Sequence, residues 1–107
     1  MADDLAERFR RARRDPSLAV LEGFHAVKHA LRFGAELLEA VTEDRPALLD
    51  LAAGLAPDVR EWLAANVAER PRGTLALLTP EPPDDVVAVA RRPVVTAPAP
   101  GDARPAR

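Results

Sequence analysis

Apolar residues along this chain change their spacing from one segment to the next, and the spacing predicts both strands and helices. Leu18–Leu21 is a compact apolar run, which is typical of a buried strand. Residues 24–33 then repeat apolar side chains at helical intervals: Phe24, Val27, Ala30 and Leu31. Because glycine readily adopts the left-handed conformation that follows a helix, Gly34 is expected to end this helix.

Five further elements follow in the apolar pattern. They are a strand over Ala35–Thr42, a helix over Ala47–Ala53, a helix beginning at Pro57, a short element over Thr74–Leu78 and a strand over Val86–Ala90. The short element fits either a helix or a strand. The alternation of strands and helices predicts an α/β fold, in which helices cover a small sheet.

Local signals at the ends of two of these helices give sharper expectations. Gly54 is expected to end the helix over Ala47–Ala53. Asp58 is expected to cap the next helix, since Glu61 stands three residues later as in a capping box. Val59, Trp62, Leu63 and Val67 form the apolar side of that helix.

Composition divides the chain into three zones. Residues 1–16 are polar and charged, and form either an arm or a helix in which Leu5 and Phe9 give a small apolar edge. Residues 17–93 hold nearly all of the apolar periodicity and are expected to form the folded domain. Residues 94–107 are rich in proline and alanine, which predicts a disordered tail or a linker stub.

The charge and composition of the whole chain exclude several classes of protein. Its 107 residues carry a net charge of -2 and include no cysteine, so disulfides and thiolate metal sites are excluded. We expect no membrane span, because no apolar run approaches the roughly 18 residues that one requires. The acidic start does not resemble a signal peptide, so we expect a cytoplasmic protein.

The first helix of the domain carries the most informative polar pattern. His25, Lys28, His29 and Arg32 recur at three- and four-residue intervals, so they share one side of the helix, beside its apolar face. Such a face can bind phosphates, while imidazoles stack on bases or hydrogen-bond to them. The alternative is an ordinary solvated face. The two histidines lack the adjoining glutamate of a zincin motif, and no third histidine exists, so we expect no metal.

A run of arginines in the N-terminal zone offers a second candidate contact. Arg10, Arg13 and Arg14 could hold phosphates as a basic arm, and the alternative is again a solvated helix.

No arrangement of residues indicates catalysis or a cofactor. The paired carboxylates at Asp84–Asp85 and Glu43–Asp44 lie in turn-like segments, where turn chemistry is the simpler explanation. Ser17 is the only serine, and the glycines are isolated, so neither a nucleophile motif nor a phosphate-binding loop is present.

One stretch resembles a known family. Glu22, Gly23, His25, Ala26, Val27, Ala30 and Leu31 match the Glu-Gly-x-His-Ala-Val and Ala-Leu pattern that opens the substrate-binding domain of TrmH/SpoU RNA 2′-O-ribose methyltransferases. Leu75–Pro80 and Val86–Pro93 also resemble that domain, so the resemblance covers roughly residues 16–93. Asp85 stands where the family usually has glycine before its last strand.

The resemblance implies a small three-layer α/β/α sandwich similar to kink-turn-binding ribosomal proteins, and recognition of structured rRNA or tRNA. The family's knotted S-adenosylmethionine-binding domain has no counterpart here, since Asn66 is the only asparagine and no Asn-x-Gly exists. We therefore expect no activity from this chain alone. It would be a stand-alone relic or part of a split or truncated product, with a separate methyltransferase chain as one partner. The alternative is a protein-interaction domain that no longer binds RNA.

Overall fold

The computed structural model describes residues 4–92. Along this part of the chain, the elements are α1 (Leu5–Arg14), β1 (Leu18–Glu22), α2 (Phe24–Arg32), β2 (Glu36–Thr42), α3 (Arg45–Leu55), α4 (Pro57–Asn66), β3 (Ala68–Glu69), α5 (Thr74–Leu78) and β4 (Val87–Arg91). The α/β prediction is confirmed. The segment over Thr74–Leu78, for which helix and strand were both open, is a helix.

The four strands form one mixed sheet in the order β1-β4-β2-β3. The last strand in sequence, β4, lies at the centre and runs antiparallel to β1 and β2, whereas the two-residue β3 runs parallel to β2. Strands that are distant in sequence therefore build the centre of the domain. The exposed β3 carries no apolar pattern, which is why the sequence did not predict it.

Helices cover both faces of the sheet, which gives three layers. On one face, α2, α3 and α4 pack Val27, Leu48 and Leu63 against Ala40 and Ala88 of the strands. On the other face, α1 and α5 bury a separate apolar set against the strands: Leu5, Phe9, Ala12, Val41, Leu75, Leu78, Val87 and Val89. Because Phe9 is fully buried, α1 belongs to the folded domain and does not extend from it as an arm.

A β-bulge interrupts the pairing of β2 with β4 between Leu37 and Glu39. The bulge shifts the alternation by one residue, so Leu37 and Ala40 both pack toward the α2 layer. It also accounts for the irregular alternation of this strand in the sequence. Glu39 faces α1, where its carboxylate accepts two hydrogen bonds from Arg8.

Two predictions about helix ends are wrong. Helix α3 continues through Gly54 to Leu55. Helix α4 is capped by the backbone of Ala56, without a capping bond from Asp58. Pro57 determines the break, because a residue before proline is disfavoured in the helical conformation. Ala56 accordingly leaves the helical conformation, with φ -157° and ψ 71°, and is fully buried at the corner.

Two further expectations concern the C-terminal tail and a possible membrane span. The tail predicted over residues 94–107 lies outside the described residues. Within residues 4–92, no helix has the length and apolar character required to cross a membrane.

Candidate nucleic-acid interface

The helix α2 is fixed to the sheet at its beginning. It follows β1 directly through Gly23, whose backbone N–H donates to the carbonyl of Val86 at 2.8 Å. Gly23 has φ +99°, a conformation that L side chains rarely adopt. Phe24 and Val27 are buried beneath the helix, so the opposite side faces outward.

The C-terminal end of α2 is held by a Schellman motif. The N–H of Gly34 donates to Leu31 at 3.1 Å, and the N–H of Ala35 donates to Ala30 at 2.9 Å. Gly34 has φ +79°, as this motif requires. The prediction that Gly34 ends the helix is confirmed, and both ends of the candidate face have defined backbone positions.

The outer side of α2 carries the predicted polar residues on one surface. His25, His29 and Arg32 are exposed, whereas Lys28 is half-buried. The Nζ atom of Lys28 lies 3.3 Å from Nδ1 of His25, which places an ammonium group and an imidazole within hydrogen-bond reach. The four residues therefore share one face, as their spacing predicted.

Arg32 differs from the other three because it is hydrogen-bonded to an acidic residue on α4, Asp58, on which Lys28 acts only through its charge. The Nε and Nη2 atoms of Arg32 donate to the two carboxylate oxygens of Asp58 at 2.9 and 2.8 Å. This hydrogen bonding lowers the pKa of Asp58 below its ordinary value and raises the pKa of Arg32. The positive charge of Arg32 is thus partly neutralised within the domain.

An aromatic ring at the end of the same face was not identified from the sequence. Phe33 is 85% exposed and stacks on His29, with 6.3 Å between the ring centroids and 18° between the planes. The available signal was the four-residue interval that relates His25, His29 and Phe33. Phe33 lies outside the apolar face of Phe24, Val27, Ala30 and Leu31, so the apolar pattern alone does not indicate which side of the helix it occupies.

The three candidate arginines of α1 have different surroundings. Arg10 pairs with Glu7 on its own helix at 2.6 Å. Arg13 is held by the fold, because it bonds to the carboxylate of Glu22 at 3.0 Å and to the carbonyl of Leu78 at 2.8 Å. Arg14 is exposed, and its charge helps to lower the pKa of Glu7 on the same helix.

The structure does not join the two basic groups into one surface. Since α1 and α2 pack against opposite faces of the sheet, their outward sides point in opposite directions. Arg13 instead links α1, β1 and α5, because Glu22 also accepts a hydrogen bond from Thr79 at 2.7 Å. The hydrogen bond from Thr79 is the main cause that lowers the pKa of Glu22, and Arg13 adds to it.

The depressions in the described surface lie away from the α2 face. A groove of about 470 Å³ runs between α1 and the bulged part of β2, and both apolar and charged side chains line it, among them Leu38, Val89, Arg8 and Glu39. A second hollow is lined by charged residues that include Glu43, whose carboxylate accepts hydrogen bonds from the N–H groups of Gly73 and Leu75. Among the described residues, no cluster of three or more histidine or acidic side chains could hold a metal ion.

Comparisons with protein-family models, with curated proteins and with solved structures find no match to this chain.

Proposed function

We propose that this domain binds structured RNA, rRNA or tRNA, through the outer face of α2. The observation that carries the proposal is the projection of His25, Lys28 and His29 from one helix face whose two ends are fixed by the backbone. The resemblance of residues 16–93 to the substrate-binding domain of TrmH/SpoU methyltransferases supports the same function. In that role, the domain would present RNA to a catalytic site on a separate chain.

Each type of side chain on this face suits a different part of RNA. The ammonium group of Lys28 can neutralise a phosphate, whereas the imidazoles of His25 and His29 can hydrogen-bond to bases or stack on them. Because the net charge of the chain is -2, long-range attraction contributes little, and binding depends on this local surface.

The ion pairs within the domain indicate how much each remaining candidate residue should contribute to RNA binding. Arg32, Arg10 and Arg13 each bind an acidic side chain within the domain. A phosphate must displace that partner before it gains the full attraction of the arginine, so we expect these three residues to contribute less than Lys28. Arg14 acts on Glu7 of its own helix through its charge, and it lies on the other layer.

A salt titration of binding to purified tRNA and rRNA tests the proposal. Lys28→Ala should weaken binding and flatten the slope of log affinity against log salt by about one unit. Arg72→Ala is the matched control, since it removes one exposed positive charge from the turn before α5. Failure of the wild-type protein to bind either RNA, or equal slopes for the two variants, would overturn the proposal.

A protein-interaction domain that no longer binds RNA is the second candidate. It is favoured by the net charge of -2 and by the pairing of three candidate arginines with acidic residues. The same titration separates the two functions, because a domain of this kind would show no salt-dependent retention of RNA.

A further inference from the structure

We infer that the stacked rings of His29 and Phe33 form a platform on which an unpaired RNA base stacks. This inference rests on the proposed RNA-binding function and specifies the part of the RNA that the α2 face would recognise. It begins from Phe33, a large apolar side chain that is 85% exposed and is supported on one side by an imidazole.

Around the outer side of α2, the aromatic rings and the positively charged side chains lie in two separate bands. At about 100° per residue, His25, His29 and Phe33 follow one another at steps of about 40°. Lys28 and Arg32 fall on the other side of His25, so a band of rings runs beside a band of cations. The backbone of Phe33, with φ -92° and ψ 10°, stays close enough to helical for this geometry to include it.

Such a surface complements a nucleotide that is not paired. A base presents an apolar face to the rings, while the phosphate attached to it carries the negative charge that the adjacent cations attract. A paired base cannot make this contact, because both of its faces are covered within the duplex. The ligand class is therefore an RNA loop, bulge or single-stranded end.

The platform is held in place before a ligand binds. Phe33 occupies the C-cap position, where its N–H donates to the carbonyl of His29 at 3.0 Å. The Schellman bonds of Gly34 and Ala35 fix the chain immediately after it. A ring with a defined backbone and a stacked neighbour has less conformational freedom to lose on binding than an isolated exposed side chain.

The surroundings of Phe33 favour a nucleotide over a protein partner. Protein-binding surfaces centre on contiguous apolar patches with few charges. On α2, Phe33 lies next to His29 and Ala30, and the charged residues Lys28 and Arg32 lie farther around the helix, beyond His25. The other large apolar side chains exposed on described residues lie on different elements: Leu38 on β2, Leu55 on α3 and Leu77 on α5.

The test compares a fluorescently labelled RNA hairpin with the blunt RNA duplex formed from its stem. Phe33→Ala should weaken binding of the hairpin by about 5- to 150-fold and leave binding of the duplex unchanged. Phe33→Leu should lose a similar factor, because it keeps an apolar side chain but lacks an aromatic face. Phe33 is exposed, so unfolding curves should show that both variants fold as the wild type does.

Phe33→Trp adds a fluorescence signal that reports contact between this side chain and the RNA. A purely structural role of Phe33 would not produce a change in that signal on RNA binding. This variant should keep its affinity for the hairpin, and the hairpin should quench its added tryptophan emission. The wild-type protein, whose only tryptophan is the half-buried Trp62, provides the background signal.

The outcomes separate the two proposals. If the wild-type protein binds RNA but Phe33→Ala and Phe33→Leu bind the hairpin as tightly as the wild type does, the platform is wrong and the proposed function stands. Loss of self-association in Phe33→Ala with unchanged RNA affinity would assign the ring to a protein contact and would also overturn the platform. If the wild-type protein binds neither RNA, both proposals fail.

Discussion

Arg32 of α2 and Asp58 of α4 form a two-point contact in which Nε and Nη2 donate to separate carboxylate oxygens at 2.9 and 2.8 Å. Paired hydrogen bonds of this type hold both groups in a fixed orientation. The contact connects the C-terminal end of the candidate interface to the first turn of α4. It also places a negative charge on the edge of a surface that we propose to bind an anion.

Removal of this carboxylate should strengthen RNA binding. Asp58→Asn preserves the shape of the side chain but releases the charge of Arg32, so we expect higher affinity and a salt slope steeper by about one unit. The double variant Asp58→Asn/Arg32→Ala should return to the wild-type slope. Binding to purified tRNA over a range of salt concentrations measures both effects, and an affinity for Asp58→Asn at or below the wild-type value would contradict the expectation.

Stability at acidic pH should depend on Glu22. Hydrogen bonds from Thr79 and Arg13 favour its carboxylate, so its pKa in the folded protein lies below the ordinary value of 4.5. As the pH falls, the unfolded chain takes up the proton first, which shifts the equilibrium toward unfolding. The stabilisation is therefore complete above about pH 4.5 and is lost as the pH falls through the lower, folded-state pKa.

Denaturant unfolding at several pH values checks this dependence. Glu22→Gln should be less stable than the wild-type protein at neutral pH, and the difference should shrink on acidification. The pKa values of Glu7 and Asp15 are lowered as well, by Arg10 and by Ser17 respectively, so the variant should retain part of the acid sensitivity. A constant difference between the two proteins from neutral to acidic pH would show that Glu22 is not responsible.

The sequence predicted most elements of the fold because their apolar patterns are local. Leu18–Leu21, residues 24–33 and Val86–Ala90 each lie within one residue of the observed element at both ends. The wrong predictions concern helix ends, where packing in the folded protein overrides the local preference of a residue. Gly54 was expected to end a helix, yet the helix continues until the buried corner at Ala56 and Pro57.

The candidate interface was predictable to the extent that it lies on one helix. The shared face of His25, Lys28, His29 and Arg32 follows from their spacing alone. The partner of Arg32 is 26 residues away in sequence, and that of Arg13 on α5 is 65 residues away, so neither contact could be foreseen. The separation of α1 from α2 also requires the strand order, which places helices on both faces of the sheet.

Two glycine-to-alanine substitutions should change stability in opposite directions, although neither added methyl group would meet an atom within 4 Å beyond the adjoining residues and, for Gly54, the nearby backbone of its own helix. Gly34 has φ +79°, so alanine is strained there, and we expect a loss of about 1–2 kcal/mol. Gly54 lies within α3, where alanine is the better helix former, so we expect a gain of up to about 1 kcal/mol. Urea unfolding measures both changes.

Because the Schellman bonds of Gly34 position Phe33, Gly34→Ala should also weaken binding of the RNA hairpin, whereas Gly54→Ala should not. Equal stability of the two variants would show that backbone conformation at Gly34 does not stabilise this end of the interface.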